Sequence, residues 1–185
     1  MSAEEERKFV LQAQQGDMQA FRLLVDRYMK QAYNIAYGVM NDHEDAEDVA
    51  QESFVRIFNS IKSFRGDAQF STWLYRIVMN TSLNHVSKRK SKASREVHVP
   101  DQALFATEAD VASRHQPDVQ SHIERALHEL PTLQRAVVIL RHLNGLSTKQ
   151  VSGILRCSEG TVKTHLHRGL KKMRTLLGFL ESEIV

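Results

Sequence analysis

The chain has 185 residues, enough for one ordinary domain or two small ones, and 42% of them are hydrophobic, which excludes wholesale disorder. Cys157 is the single cysteine, which excludes an intramolecular disulfide and a cysteine-rich zinc site and fits a reducing compartment. The net charge of +3 is unevenly placed: residues 1–60 carry −5, 61–100 carry +6, 101–130 carry −4 and 131–185 carry +6. A basic block is the electrostatic footprint of a polyanion, and two separated blocks suggest two contacts on one nucleic acid. A solvated helix face produces the same pattern. No apolar run approaches the length of a membrane span, and the acidic, polar stretch Met1 to Lys8 is unlike a secretory signal.

The pattern is helical almost throughout. Ser2 can cap a short helix led by Glu4, Glu5 and Glu6, whose charges suit a helix N-terminus. Asp17 is a second cap, before a long amphipathic helix with Phe21, Leu24, Val25, Tyr28, Ala32, Ile35, Ala36 and Val39 at three- and four-residue spacing. Asp42 can cap a third, with Ala46, Val49, Ala50, Phe54, Ile57 and Phe58 on the buried side. After a loop marked by Gly66, a fourth helix is expected from about Ser71 to about Lys90, with Trp73, Leu74, Ile77, Val78 and Thr81 inward. Periodicity is lost between about Ser91 and Val119, a stretch holding Pro100 and Pro117. So long an aperiodic segment is unusual inside a compact domain and reads as a flexible connection between two domains, fixed relative to one another only by a partner. A second helical unit runs from His122 to about Leu180, with Pro131 between its first two helices.

Within it, LSTKQVSGILRCSEGTVKTHLHRGL (residues 146–170) has the form of a helix-turn-helix. Ser147 caps a short helix with Val151, Ile154 and Leu155 inward. After Arg156 and Cys157, Ser158 caps a second helix with Val162, Leu166, Leu170 and Met173 as its buried stripe. At about 100° per residue, Thr161, Thr164, Arg168 and Lys171 point outward, flanked by Lys163, His165, His167 and Lys172. Small hydroxyls at the entering end and cations behind them suit base edges in front and phosphates around. An ordinary amphipathic hairpin is the bland alternative. Capping, spacing and one-sided charge together favour DNA binding over it.

In the first half, Asp45, Asp48 and Glu52 form an acidic strip at helical spacing, which by itself fits a solvated face. The next helix is the reverse: six Lys or Arg and no acid from Ala68 to Arg95, with Arg76, Asn80, Asn84, Ser87 and Lys88 away from the apolar stripe. Asn can read base edges and Lys–Arg clusters hold phosphates. Phe64, Phe70 and Trp73 are candidate stacking platforms for an unpaired base, though Trp73 shares the apolar stripe and is expected in the core.

DAEDVAQESFVRIF, then FRGDAQFSTWLYRIVMNTSLNHV, then ELPTLQRAVVILRHLNGLSTKQVSGILRCSEGTVKTHLHRGL together resemble the extracytoplasmic-function sigma factors of the sigma-70 family, over roughly residues 9–92 and 120–178. The resemblance implies an all-α chain of two small helical domains: a region 2-like unit over 1–92, a linker over 93–119 and a region 4-like helix-turn-helix over 120–182. It implies a transcription initiation factor with core RNA polymerase, promoter DNA and an anti-sigma factor as partners. No cofactor, no metal, no catalytic residue and no membrane insertion are expected, and the cytoplasm is the expected compartment. Asp45, Asp48, Gln51 and Glu52 would dock on the polymerase β′ clamp. Arg76, Asn80, Asn84, Ser87 and Lys88, with Phe64, Phe70 and the loop between them, would bind the −10 element and hold a flipped base. Ser158, Thr161, Lys163, Thr164, His165, His167, Arg168 and Lys171 would read the −35 element, and the same unit would touch the β flap. The sequence departs from the family's common residues at Arg156, Ser152, His165 and Asn84, which bears on promoter preference and not on fold.

Two other functions fit parts of the sequence. A stand-alone helix-turn-helix regulator explains the second half equally well but leaves the acidic strip and basic helix of the first half without a purpose. An enzyme or metal protein is prompted by nine histidines. His165 and His167 are two apart and diverge on a helix, and Glu124 with His128 supplies only two ligands on one face. No P-loop, nucleophile elbow or dinucleotide fingerprint is present.

Overall fold

The computed structural model describes residues 2–96 and 119–181, so most of the expected linker lies outside the described residues. Helix α1 spans Ala3–Gln14, and Ser2 closes it with a capping box: its hydroxyl accepts from Glu5 N at 3.2 Å and its own N–H donates to the Glu5 carboxylate at 2.6 Å. Those bonds hold the Glu5 carboxyl below its usual range. Asp17 then accepts from Gln19 N and Ala20 N to start α2, Met18–Met40. That helix ends on Asn41 in the left-handed conformation, which Asn tolerates better than most residues. Asp42 caps α3, His43–Ser60, and one 3₁₀ turn, Ile61–Ser63, leads to the loop before α4, Phe70–Glu96.

These four helices enclose one core, in which Leu24, Ile35, Val49, Ile57, Leu74 and Val78 are almost fully buried. Each such side chain contributes about 1.5–3 kcal/mol by leaving water. Two expectations need correction. Phe58 is 42% exposed, stacked edge-on against Phe21 at the rim of the core. Helix α4 continues past Lys90 to Glu96, because no Gly or Pro breaks the run of helix formers before Pro100.

The second unit consists of α5 (Val119–His128), α6 (Thr132–Val138) continued by a π turn (Ile139–Leu143), α7 (Thr148–Leu155) and α8 (Glu159–Glu181). Pro131 opens α6, where its missing N–H costs no hydrogen bond. Leu127, Leu130 and Val138 form a small core with Ile123, Leu166 and Met173, whereas Val151, Ile154 and Val162, at the joint between α7 and α8, are continuous with the core of the first unit. Leu170, expected in the buried stripe of α8, is 37% exposed. Gly169 lets α8 approach α6 closely: a Cβ there would stand 3.0 Å from Val138 Cγ2.

The two units touch. Helix α2 meets α5, α6 and the π turn, and α4 meets α7. At Gly38, within α2, a Cβ would stand 2.9 Å from Ile139 Cδ1, so the missing side chain makes room for the π turn. Arg135 Nη1 donates to Val39 O at 2.8 Å across the same seam, and His128 meets the Tyr37 ring edge-on at 6.0 Å. Burial, and then the neighbouring Arg135 cation, hold the His128 imidazole down at about pKa 4.

Two outcomes follow from this packing. His128 has a lower pKa in the fold than its unfolded value of about 6.5, so below that pH the unfolded chain takes up the proton first. Its contribution is intact above pH 6.5 and is lost as pH falls towards 4. Thermal melts at pH 7.5 and 5 should therefore show a larger drop for the parent chain than for His128→Asn. The second concerns Gln14, whose side-chain amide donates to Ile61 O at 2.9 Å and Phe64 O at 2.7 Å. Gln14→Ala leaves both carbonyls without that donor and should cost about 1–2 kcal/mol in urea unfolding. Hydrogen exchange should rise first in residues 61–69.

Candidate nucleic-acid interface

Helix α8 starts as its sequence requires. Ser158 Oγ accepts from Thr161 N at 3.0 Å and contacts the Thr161 hydroxyl at 2.9 Å. The preceding turn places Arg156 in the left-handed region at φ 53°, with its N–H on Ser152 O, while Ser152 Oγ donates to Cys157 O at 2.6 Å. Cys157 is thus a half-buried part of the turn. Along the helix, Lys163, Thr164, His167, Arg168 and Lys171 are exposed, and Thr161 and His165 half-buried. Thr164 spends its hydroxyl hydrogen on Gly160 O at 3.0 Å, so what it offers outward is a methyl group and an oxygen acceptor. The His165 ring has Nδ1 enclosed without a protein partner among the described residues. The result is one exposed face with small hydroxyls at the entering end, Lys163 beside them and the cations Arg168 and Lys171 behind. That face can present small groups to base edges at its start and hold phosphates with the cations beside and behind them.

The acidic strip of α3 is divided by its packing. Asp45 turns towards α4, where its carboxylate meets His85 Nε2 at 3.1 Å and Arg89 Nη1 at 2.9 Å. Asp48, Gln51 and Glu52 stay exposed, and Glu52 pairs with Arg56 one turn on at 2.7 Å. An exposed pair of this kind adds at most about 1 kcal/mol, so Glu52 is held loosely and can exchange partners.

On α4, Arg76, Asn84, Ser87 and Lys88 are exposed and Asn80 is half-buried. The loop before the helix borders a groove of about 730 Å³, lined on one side by Phe64, Arg65, Gly66, Gln69 and Phe70. Its other side belongs to α1, through Arg7, Val10, Leu11 and Gln14. A nucleobase is far smaller than this space, so the groove can accept one with part of its backbone. Phe64 is half-buried and available for stacking. Phe70 is only 3% exposed, between Tyr28, Phe64 and Trp73, so it supports the groove from beneath and is no stacking platform as it stands. Trp73 packs against Phe64 at 5.1 Å and belongs to the core margin, as its stripe implies.

Sequence reasoning missed the α1 wall of this groove and the Gln14 amide that ties the chain at its entrance. It also missed Arg135, whose guanidinium gathers Val39 O, His128 O, Leu130 O and His128 Nδ1. Periodicity marks a face and cannot identify a polar side chain that reaches a carbonyl dozens of residues away.

Comparison with known proteins bears on the whole arrangement. The family model described as sigma-70 region 2 matches residues 24–92, and that described as sigma-70, region 4 matches residues 121–173. The RNA polymerase sigma-H factor of Pseudomonas aeruginosa is 32% identical over 176 residues, covering 91% of each chain. The ECF RNA polymerase sigma factor SigW of Bacillus subtilis is 32% identical over 179 residues, covering 92% of this chain and 96% of that protein. Among solved structures, the sigma factor RpoE from Bartonella quintana, in complex with the anti-sigma factor NepR, aligns with a TM-score of 0.71 at 22% identity. That likeness of fold covers 87% of this chain and 98% of the other. With both halves matched in order and relatives aligned almost end to end, the chain belongs to the extracytoplasmic-function sigma factors of the sigma-70 family.

Proposed function

We propose that this chain binds core RNA polymerase and directs it to a specific class of promoters, reading a −10 and a −35 element and helping to open the DNA between binding and synthesis. The observation that carries this reading is the pairing, in one chain, of a region 2 unit bearing an acidic strip and a basic helix with a region 4 helix-turn-helix. A stand-alone regulator would need only the second. Asp48, Gln51 and Glu52 form the docking face for the β′ clamp, and Asp45 orients it by fastening α3 to α4. Arg76, Asn80, Asn84, Ser87 and Lys88 engage the −10 region, while the groove between α1 and the 64–70 loop holds an unpaired base, stacked on Phe64. Helix α8 reads the −35 element from Ser158, Thr161, Lys163, Thr164 and His165, with His167, Arg168 and Lys171 on phosphates.

This division of labour needs no covalent step from the chain. Cations give salt-sensitive attraction, a good base contact adds about 1–3 kcal/mol of discrimination, and a base trapped in the groove offsets part of the unstacking cost. The compartment is that of the polymerase, the bacterial cytoplasm. No described helix is long and apolar enough to cross a membrane. An anti-sigma factor covering the polymerase-facing surfaces is the expected regulator; the sigma factor RpoE of similar fold was solved in complex with an anti-sigma factor, NepR.

The direct test is run-off transcription with purified core polymerase on genomic fragments; absence of any specific transcript would overturn the reading. Asp48→Arg with Glu52→Arg should lower core affinity at moderate salt by about tenfold or more while the melting temperature stays unchanged, because both side chains are exposed. Arg168→Ala and Thr164→Ala separate the two kinds of −35 contact. Loss of Arg168 should weaken all −35 sequences alike and lower the salt slope by about one. Loss of Thr164 should relax preference at one position, seen across a panel of single-base variants at several salt concentrations.

A further inference from the structure

The groove between α1 and the loop before α4 contains a braced carboxylate. Glu6, on α1, lines the groove and is half-buried. The Tyr28 hydroxyl, from α2, donates to Glu6 Oε2. The Tyr28 side chain is 5% exposed; its ring packs on Phe70 at 5.7 Å, and Phe70 in turn meets Phe64 at 5.7 Å. The carboxylate is therefore tied to the same aromatic floor that carries the proposed stacking ring. Burial, and then the bond to Glu6, push the Tyr28 hydroxyl well above its ordinary pKa, so it remains a donor. Held from one side, Glu6 does not swing freely as a surface glutamate would. An ionised carboxylate has about four acceptor sites and no donor, and Tyr28 uses one of them. Among the described residues, Glu6 Oε1 has no hydrogen-bond partner. Asp67, the other acid on the groove, stands exposed on the loop.

On the reading that this groove holds an unpaired −10 base, we propose that Glu6 recognises that base directly and selects guanine. Guanine carries two donors side by side on its Watson–Crick edge, N1–H and N2–H, and a carboxylate accepts both at once. Adenine and cytosine each present one amino donor beside a ring-nitrogen acceptor, which the second carboxylate oxygen repels. Thymine presents one N–H between two carbonyls. Pairing uses the same edge, so Glu6 reads it only when the base is out of the duplex. A carboxylate this near a DNA strand needs cations close by. The groove supplies Arg7 from α1 and Arg65 from the loop, both exposed, one on each wall. They hold the flanking phosphates while Glu6 meets the base. A glutamate that only fastened α1 to α2 would need no more than the oxygen Tyr28 already uses. The other oxygen is what the structural role leaves over, and it belongs to a side chain that lines the groove.

The test uses the chain assembled with core polymerase and a pool of single-stranded DNA randomised across the −10 element, selected by retention on the complex and sequenced. The parent should enrich guanine at one position. Inosine in its place, which lacks only the N2 amino group, should weaken binding of the selected strand at least about fivefold. Glu6→Gln keeps an acceptor for Tyr28 but pairs one donor with one acceptor, the match for adenine. The same position should then change from guanine to adenine while the others hold. Tyr28→Phe keeps the ring packing and should blur the preference at that position alone, a readout that loss of a helix tie does not produce. No guanine preference in the parent, an unchanged guanine in Glu6→Gln, or equal binding of guanine and inosine strands overturns the inference. Should Glu6→Gln not fold, the inosine strand and Tyr28→Phe decide. Phe64→Ala separates this inference from the reading beneath it. If it weakens every selected strand while Glu6→Gln changes no preference, the groove holds a base that Glu6 does not read. If Phe64→Ala weakens none, the groove holds no base and both fail.

Discussion

The second unit is organised around one half-buried cation. Arg135, midway along α6, donates to His128 O and Leu130 O at 2.8 and 3.0 Å, and so closes the elbow between α5 and α6. Its other terminal nitrogen reaches Val39 O at 2.8 Å and His128 Nδ1 at 3.1 Å. The carbonyls belong to helix ends or to the turn beyond them, where partial negative charge collects and few backbone partners remain. Burial lowers the pKa of Arg135, but a guanidinium stays charged, so the site holds a permanent cation matched to three carbonyl dipoles and a neutral imidazole. Removing it would strand those groups together, which costs more than a single hydrogen bond is worth. Through this elbow α6 is held in place, and against α6 lies α8, the helix that presents the basic face.

The first unit solves a different electrostatic problem. An acidic helix and a basic helix lie side by side, and unrestrained attraction would spend both faces on each other. Among the described residues only Asp45 is spent this way, on His85 and Arg89; Asp42 reaches Arg89 at a distant 4.0 Å. Asp48, Gln51 and Glu52 point elsewhere because the helix turns about 100° per residue. A single inward carboxylate thus fixes the orientation of two faces that stay available to partners of opposite charge.

Much of this was legible in the sequence because it is local. Ser2, Asp17, Asp42, Ser147 and Ser158 each cap the helix expected of them, since a cap needs only a short side chain and an N–H two or three residues on. Leu24, Ile35, Val49, Leu74 and Ile154 fall in the cores that their spacing indicates. Phe58 did not, because α3 ends two residues later and the stripe runs out at the rim. Phe70 was legible as aromatic and near the groove, but its depth depends on Tyr28 and Trp73 arriving from other turns. Gln14 binds carbonyls 47 and 50 residues away, and Arg135 one that is 96 away. Such contacts depend on how helices meet, and no period in the chain encodes them. The seam between the units was illegible for the same reason, and the expectation of units fixed only by a partner did not anticipate it.

The turn between α7 and α8 has a consequence for exchange of parts. Arg156 adopts a left-handed conformation that glycine would enter at less cost, and the turn is closed by Ser152 and Cys157 through backbone groups alone on the Cys157 side. None of the side chains that set the angle between the two helices lies on the outward face of α8. The scaffold and the reading surface are therefore separable: residues 161 to 171 can be rewritten on the outer face while Val162, Leu166 and Gly169 keep their packing. A collection of such factors could diversify its promoter vocabulary by substitution on one helix face, with the joint inherited unchanged.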